Sequence, residues 1–167
     1  KTQILVATRQ FDAALDVWEQ AFADPLLTPG QLDMDGYLLD YFTIAIRVMN
    51  DPARAKRTLQ KFAKRKDMPR YLLRHVNSWI RAIDATSGDL ETKDRLGRAR
   101  TLVLGGDRPR PGPLGREQTI YDLVASSLLL QFIDQKGATE VQLAEAYYLL
   151  GLVESRSVDS YWVPQAE

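Results

Sequence analysis

The stretch AEAYYLLGLVES, residues 144–155, sets small, aromatic and leucine side chains every three or four positions, with Gly151 among them. That spacing predicts a helix. A glycine inside a helix costs about 1 kcal/mol relative to alanine. The cost is tolerable where the missing side chain lets a second helix approach closely, because packed interiors leave no room to spare. A close helix crossing is therefore expected at Gly151. On that reading Gly151→Leu overpacks the crossing and destabilises by about 1–3 kcal/mol.

Outward from this stretch the same periodicity recurs. "KTQILVAT" (1–8) reads as the end of a helix, and "RQFDAALDVWEQAFADP" (9–25) as a complete one. In the latter, Phe11, Ala14, Leu15, Trp18, Ala21 and Phe22 share one face, and Pro25 with "TPG" (28–30) ends it. A third helix is expected from Gln31 or Asp33 to Met49, with a broad apolar face of Met34, Leu38, Tyr41, Phe42, Ala45 and Met49. Asn50 or Asp51 can cap a fourth helix, with Pro52 in its first position. Its seam is Ala55, Leu59, Phe62 and Ala63. Leu72, Val76, Trp79 and Ile83 make the seam of a fifth helix, with Gly88 as its stop. A weaker sixth pattern spans 89–104, a long helix spans about 116–135, and Val158–Glu167 begins another. No stretch alternates with period two. The fold class is all-α, with antiparallel helix hairpins. The expected division is helical hairpins over 1–104, a Gly/Pro-rich loop over 105–115, and a further hairpin over 116–167, all within one domain of a longer chain.

The two ends resemble the tetratricopeptide repeat family. Tyr147, Leu150 and Gly151 match the repeat's first helix, and Ala166 begins its second. Glu154 stands where the family has a tyrosine. Phe11, Ala14, Trp18 and Ala21, followed by Pro25, match the second helix. Residues 31–135 show helix pairs without the signature. The resemblance implies stacked antiparallel hairpins, a right-handed α-superhelix with a concave partner-binding face. It implies a non-catalytic scaffold or adaptor for another protein or peptide. Incomplete repeats at both ends would expose apolar faces, so self-association is also expected. An alternative is a periplasmic accessory or solute-binding subunit of a bacterial envelope transport or assembly system. A periplasmic location is favoured over a cytoplasmic one.

Cysteine is absent, which removes disulfides and thiolate chemistry. No apolar run approaches the roughly 20 residues of a spanning helix; the longest, around Leu123–Ile133, is broken by Ser126, Ser127 and Gln131. His75 is the single histidine, and beside the Leu72–Val76–Trp79 seam it reads as a boundary residue with a structural hydrogen bond. No HExxH, GxSxG, calcium-loop or phosphate-loop pattern occurs. No catalytic residue, cofactor or metal is expected.

Net charge is zero but segregated. Residues 1–50 carry three basic and seven acidic side chains, residues 51–110 sixteen and seven, and residues 111–167 three and eight. In the basic middle, Arg57, Lys61, Lys64 and Arg65 fall on one helical stripe, and Arg70, Arg74 and Arg81 on another. Two such stripes make a candidate surface for an anionic partner, whether acidic protein, nucleic acid or membrane. Without an aromatic-interleaved motif or a recognition helix, nucleic acid is disfavoured. The competing expectation is a solvated face.

Overall fold

A computed structural model describes residues 2–29, 34–105 and 116–156. The expected helix over 158–167 and all but Gly105 of the 105–115 loop lie outside these residues. The elements, in order, are α1 (Thr2–Ala7), α2 (Phe11–Ala23), α3 (Met34–Phe42), a π-helical segment (Thr43–Val48), α4 (Pro52–Ala63), α5 (Arg70–Ala85), a 3₁₀ turn (Asp89–Glu91), α6 (Arg95–Leu104), α7 (Arg116–Ile133) and α8 (Glu140–Arg156). Among the described residues there is no strand, and no helix is long and apolar enough to cross a membrane.

The expected seams are the buried ones. Ala14, Leu15, Trp18 and Phe22 are buried on α2, Ala55, Leu59 and Phe62 on α4, and Leu72, Val76, Trp79 and Ile83 on α5. Phe11, Ala21 and Ala63 are half-buried. The weak pattern over 89–104 is two elements. Asp94 caps α6 by accepting the Gly97 N–H at 3.0 Å, so the helix begins at Arg95 and the preceding turn stands apart. Gly88, at φ 87°, takes the left-handed conformation that leads the chain from α5 into that turn.

The third helix widens. Met49 N–H donates to Ile44 O at 2.9 Å and Asp51 N–H to Ala45 O at 2.8 Å, beyond the four-residue reach of an α-helix. The wider turn lets three consecutive residues, Ile44, Ala45 and Ile46, all be buried. Asn50 then reverses the chain at φ 56°, a conformation asparagine accepts more readily than most residues. Asp51 Oδ1 accepts the Arg54 N–H at 2.8 Å, and Pro52 opens α4.

Helix α7 is the centre. Every residue from Ile120 to Leu129 is buried, as befits a helix enclosed on all sides. Around it pack α5, α6, α8 and the π segment. Sequence neighbours α1–α2, α4–α5 and α7–α8 pack as pairs, and α2–α4, α5–α7 and α6–α8 link alternate helices. The packing of α7 on the π segment joins elements much farther apart in the chain.

Candidate interaction surfaces

Helix α8 buries Ala146, Leu149 and Val153. Its other side is uncovered among the described residues. Val141 is 78% exposed, Tyr147 57% and Tyr148 64%, with Ala144 and Gly151 exposed between them. A Cβ built on Gly151 would meet nothing within 4 Å. Among the described residues no helix approaches Gly151, and the expected second helix, over 158–167, lies outside them. Tyr147, expected to pack within the repeat, is 57% exposed among the described residues. Leu150 packs partly against the core. At the other end Ala14 and Trp18 do pack inside, with Trp18 edge-on to Tyr41 at 6.3 Å between ring centroids. Against the described residues alone, position 151 has room for a side chain. Gly151→Ala is expected to stabilise the chain by about 0.5–1 kcal/mol, since alanine removes backbone entropy from the unfolded state and meets open space. A thermal melt should show a rise of roughly 1–4 °C. A fall would show that something packs at position 151.

The basic hairpin forms the second surface. Lys56, near the start of α4, pairs with Asp84, near the end of α5, so the two helices run antiparallel. Arg57, Lys61 and Lys64 lie exposed on α4, and Arg70 and Arg74 on α5, none with a carboxylate partner among the described residues. Lys66, in the turn between the helices, joins them. Arg81 is exposed and donates to Ser78 Oγ at 3.0 Å.

Arg65 does not belong to this surface. Its guanidinium is folded inward, donating from Nη1 to the carbonyls of Phe22 and Asp24, both at 2.8 Å, and from Nη2 to that of Leu27 at 2.7 Å. Asp67 accepts from Nε at 2.9 Å and from Nη2 at 2.7 Å. These contacts add donors to carbonyls at and just beyond the end of α2, and they place positive charge at that helix's negative pole. The Asp67 hydrogen bonds hold Arg65 above, and Asp67 below, their usual pKa ranges. Spacing along α4 could not reveal a partner more than 35 residues upstream.

A third cluster escaped the sequence reading. Arg54, on α4, donates from Nε to Glu19 Oε1 at 2.6 Å, from Nη1 to Asp12 Oδ1 at 3.0 Å and from Nη2 to Asp16 Oδ1 at 2.5 Å. Tyr41 Oη donates to the same Glu19 oxygen at 2.7 Å and lies 2.9 Å from Thr58 Oγ1. The network ties α2, α3 and α4 together. Burial raises the Tyr41 pKa, and neighbouring Glu19 adds to the rise. The visible signal was Asp12, Asp16 and Glu19 at helical spacing, which alone reads as a solvated stripe.

His75 stands edge-on between Tyr71, at 5.9 Å, and Trp79, at 6.3 Å, one ring in an aromatic ladder along α5. Among the described residues no group of three or more His, Asp or Glu side chains is arranged to hold a metal ion.

No family model matches the chain. Neither a characterised protein nor a solved structure matches it.

Proposed function

We propose that this chain is a non-catalytic protein-interaction scaffold built of tetratricopeptide-like helical hairpins, and that α8 docks a helix of a partner protein. The observation carrying this reading is the bare face of α8. Small residues at 144 and 151 leave a depression flanked by Val141, Tyr147 and Tyr148, a shape that accepts the side-chain ridge of another helix. Tyrosine suits such a surface, since its ring tolerates both water and an apolar neighbour. Pairing between adjacent and alternate helices supports the stacked-hairpin architecture.

The test places a photo-crosslinking phenylalanine analogue at position 148, at 141, and at the exposed control position 93, in the full-length protein within its own cells. The expected result is an adduct of defined mass with a second protein from 148 and 141 and none from 93. Gly151→Leu fills the depression and should abolish the adduct while leaving the melting temperature unchanged or raised. Adducts only with the chain itself, only with a second copy, or with nothing would overturn the proposal.

A further inference from the structure

The outer face of the α4–α5 hairpin carries cations that have no carboxylate partner among the described residues. Each carboxylate on the hairpin is already committed: Asp51 caps α4, Asp67 binds Arg65 and Asp84 binds Lys56. Elsewhere four arginines have carboxylate partners. Arg47 pairs with Glu154, Arg98 with Asp89, Arg100 with Glu145 and Arg156 with Asp122. Arg57, Lys61, Lys64, Lys66, Arg70 and Arg74 have no such partner among the described residues and lie exposed along two neighbouring helices and the turn between them. Six like charges held together without counter-charge repel one another, and a ligand that supplies the missing carboxylates relieves that cost.

We propose that this face captures an acidic segment, rich in aspartate and glutamate, of a partner protein. The proposal rests on the interaction reading above and names a partner chemistry for a surface separate from α8. Dimensions favour a short segment. From Arg57 to Lys64 the α4 row runs about 10 Å at the helical rise, matching roughly two turns of a facing helix. The two rows lie on neighbouring helices whose axes pack roughly 8–10 Å apart, so one acidic helix can lie between them. A nucleic acid fits less well. The chain's net charge is zero and its isoelectric point about 6.8, so a long polyanion would run off this face onto acidic surface. Tyr71 is the large exposed hydrophobic residue of α5, and α4 has none, which leaves little to stack bases or enter a bilayer.

Fluorescence anisotropy of the full chain tests this with three probes: a labelled decaglutamate peptide, a labelled oligothymidylate, and vesicles of phosphatidylserine in phosphatidylcholine. Decaglutamate is expected to bind best at low salt and to lose about tenfold in affinity between about 50 and about 200 mM salt. The double variant Arg57→Glu with Arg74→Glu should weaken it by about tenfold or more. Lys93→Glu with Lys136→Glu, two exposed cations elsewhere, should change it less than about twofold, with circular dichroism confirming that both variants fold. Failure of decaglutamate to bind, stronger binding of oligothymidylate or vesicles, or equal weakening by both double variants would overturn the proposal. None of those results touches the adduct test at position 148, so this inference can fall while the scaffold reading stands.

Discussion

Trp79→Ala is expected to destabilise the chain by about 3–5 kcal/mol and to lower its thermal midpoint by roughly 10 °C. The indole is 2% exposed and packs against Phe42 at 5.1 Å between ring centroids, with the planes inclined by 69°. It therefore joins α5 to the end of α3, just before the π segment, while α5 packs on α7 beyond. Alanine removes the largest fully buried side chain among the described residues and leaves a cavity between α5 and α3. Trp79→Phe separates volume from polarity. The indole Nε1 is buried with no hydrogen-bond partner, so phenylalanine removes an N–H that is costly to bury unpaired. Its loss of volume is partly offset, and the expected cost is about 1 kcal/mol. Chemical denaturation of both variants checks the pair. Equal losses would show that the bulk of the ring is not what matters.

Arg54→Met is expected to cost about 2–4 kcal/mol, the second large effect. The Arg54 side chain is 17% exposed and Glu19 29%, whereas Asp12 and Asp16 are 75% and 62% exposed. Pairs with the exposed aspartates contribute little in water, so Asp12→Asn should change stability by less than about 0.5 kcal/mol. The weight falls on Arg54, Glu19 and Tyr41. Methionine keeps the stem's packing but strands Glu19 and removes the cation facing three carboxylates on one helix face. The pH dependence carries a sign. Burial alone would raise the Glu19 pKa, but hydrogen bonds from Arg54 and Tyr41 and the guanidinium's charge outweigh it and hold the carboxyl below its usual range. A folded-state pKa that is lowered adds stability that is complete above the unfolded value and lost as pH falls through the folded one. The wild-type chain therefore gives up this increment below about pH 4. The variant never had it, so the gap between the two should narrow in acid. A gap that is constant from neutral pH to pH 3, by urea titration, would show that the cost is packing and not charge.

Much of the fold was legible because apolar seams announce themselves one helix at a time. Leu72, Val76, Trp79 and Ile83 needed nothing but their spacing, and Pro52 with Asp51 marked the start of α4 by local chemistry alone. What was illegible depended on partners distant in sequence. Gly151 looked like a crossing point because a glycine is silent about whether its space is filled. Arg65 looked like its stripe neighbours Arg57, Lys61 and Lys64 until the end of α2 claimed it. The π segment had only a broad apolar face as its signal, and widening a helix is not the sole way to bury one. The central position of α7 showed as a run with few charges, from Ile120 to Ile133, which described a buried helix without saying what buries it.

That central position has a consequence for synthesis. A ribosome delivers a chain from its N-terminal side, so the π segment, α5 and α6 emerge before the helix they pack around. At about 5–20 residues per second, the roughly 50 residues between the end of α5 and the end of α7 take about 3–10 seconds to make. Through that interval the sides of α5 and of the π segment that pack on α7 lack that partner. Nascent chains halted before residue 116 should therefore be engaged by holding chaperones, and those released past residue 133 should not.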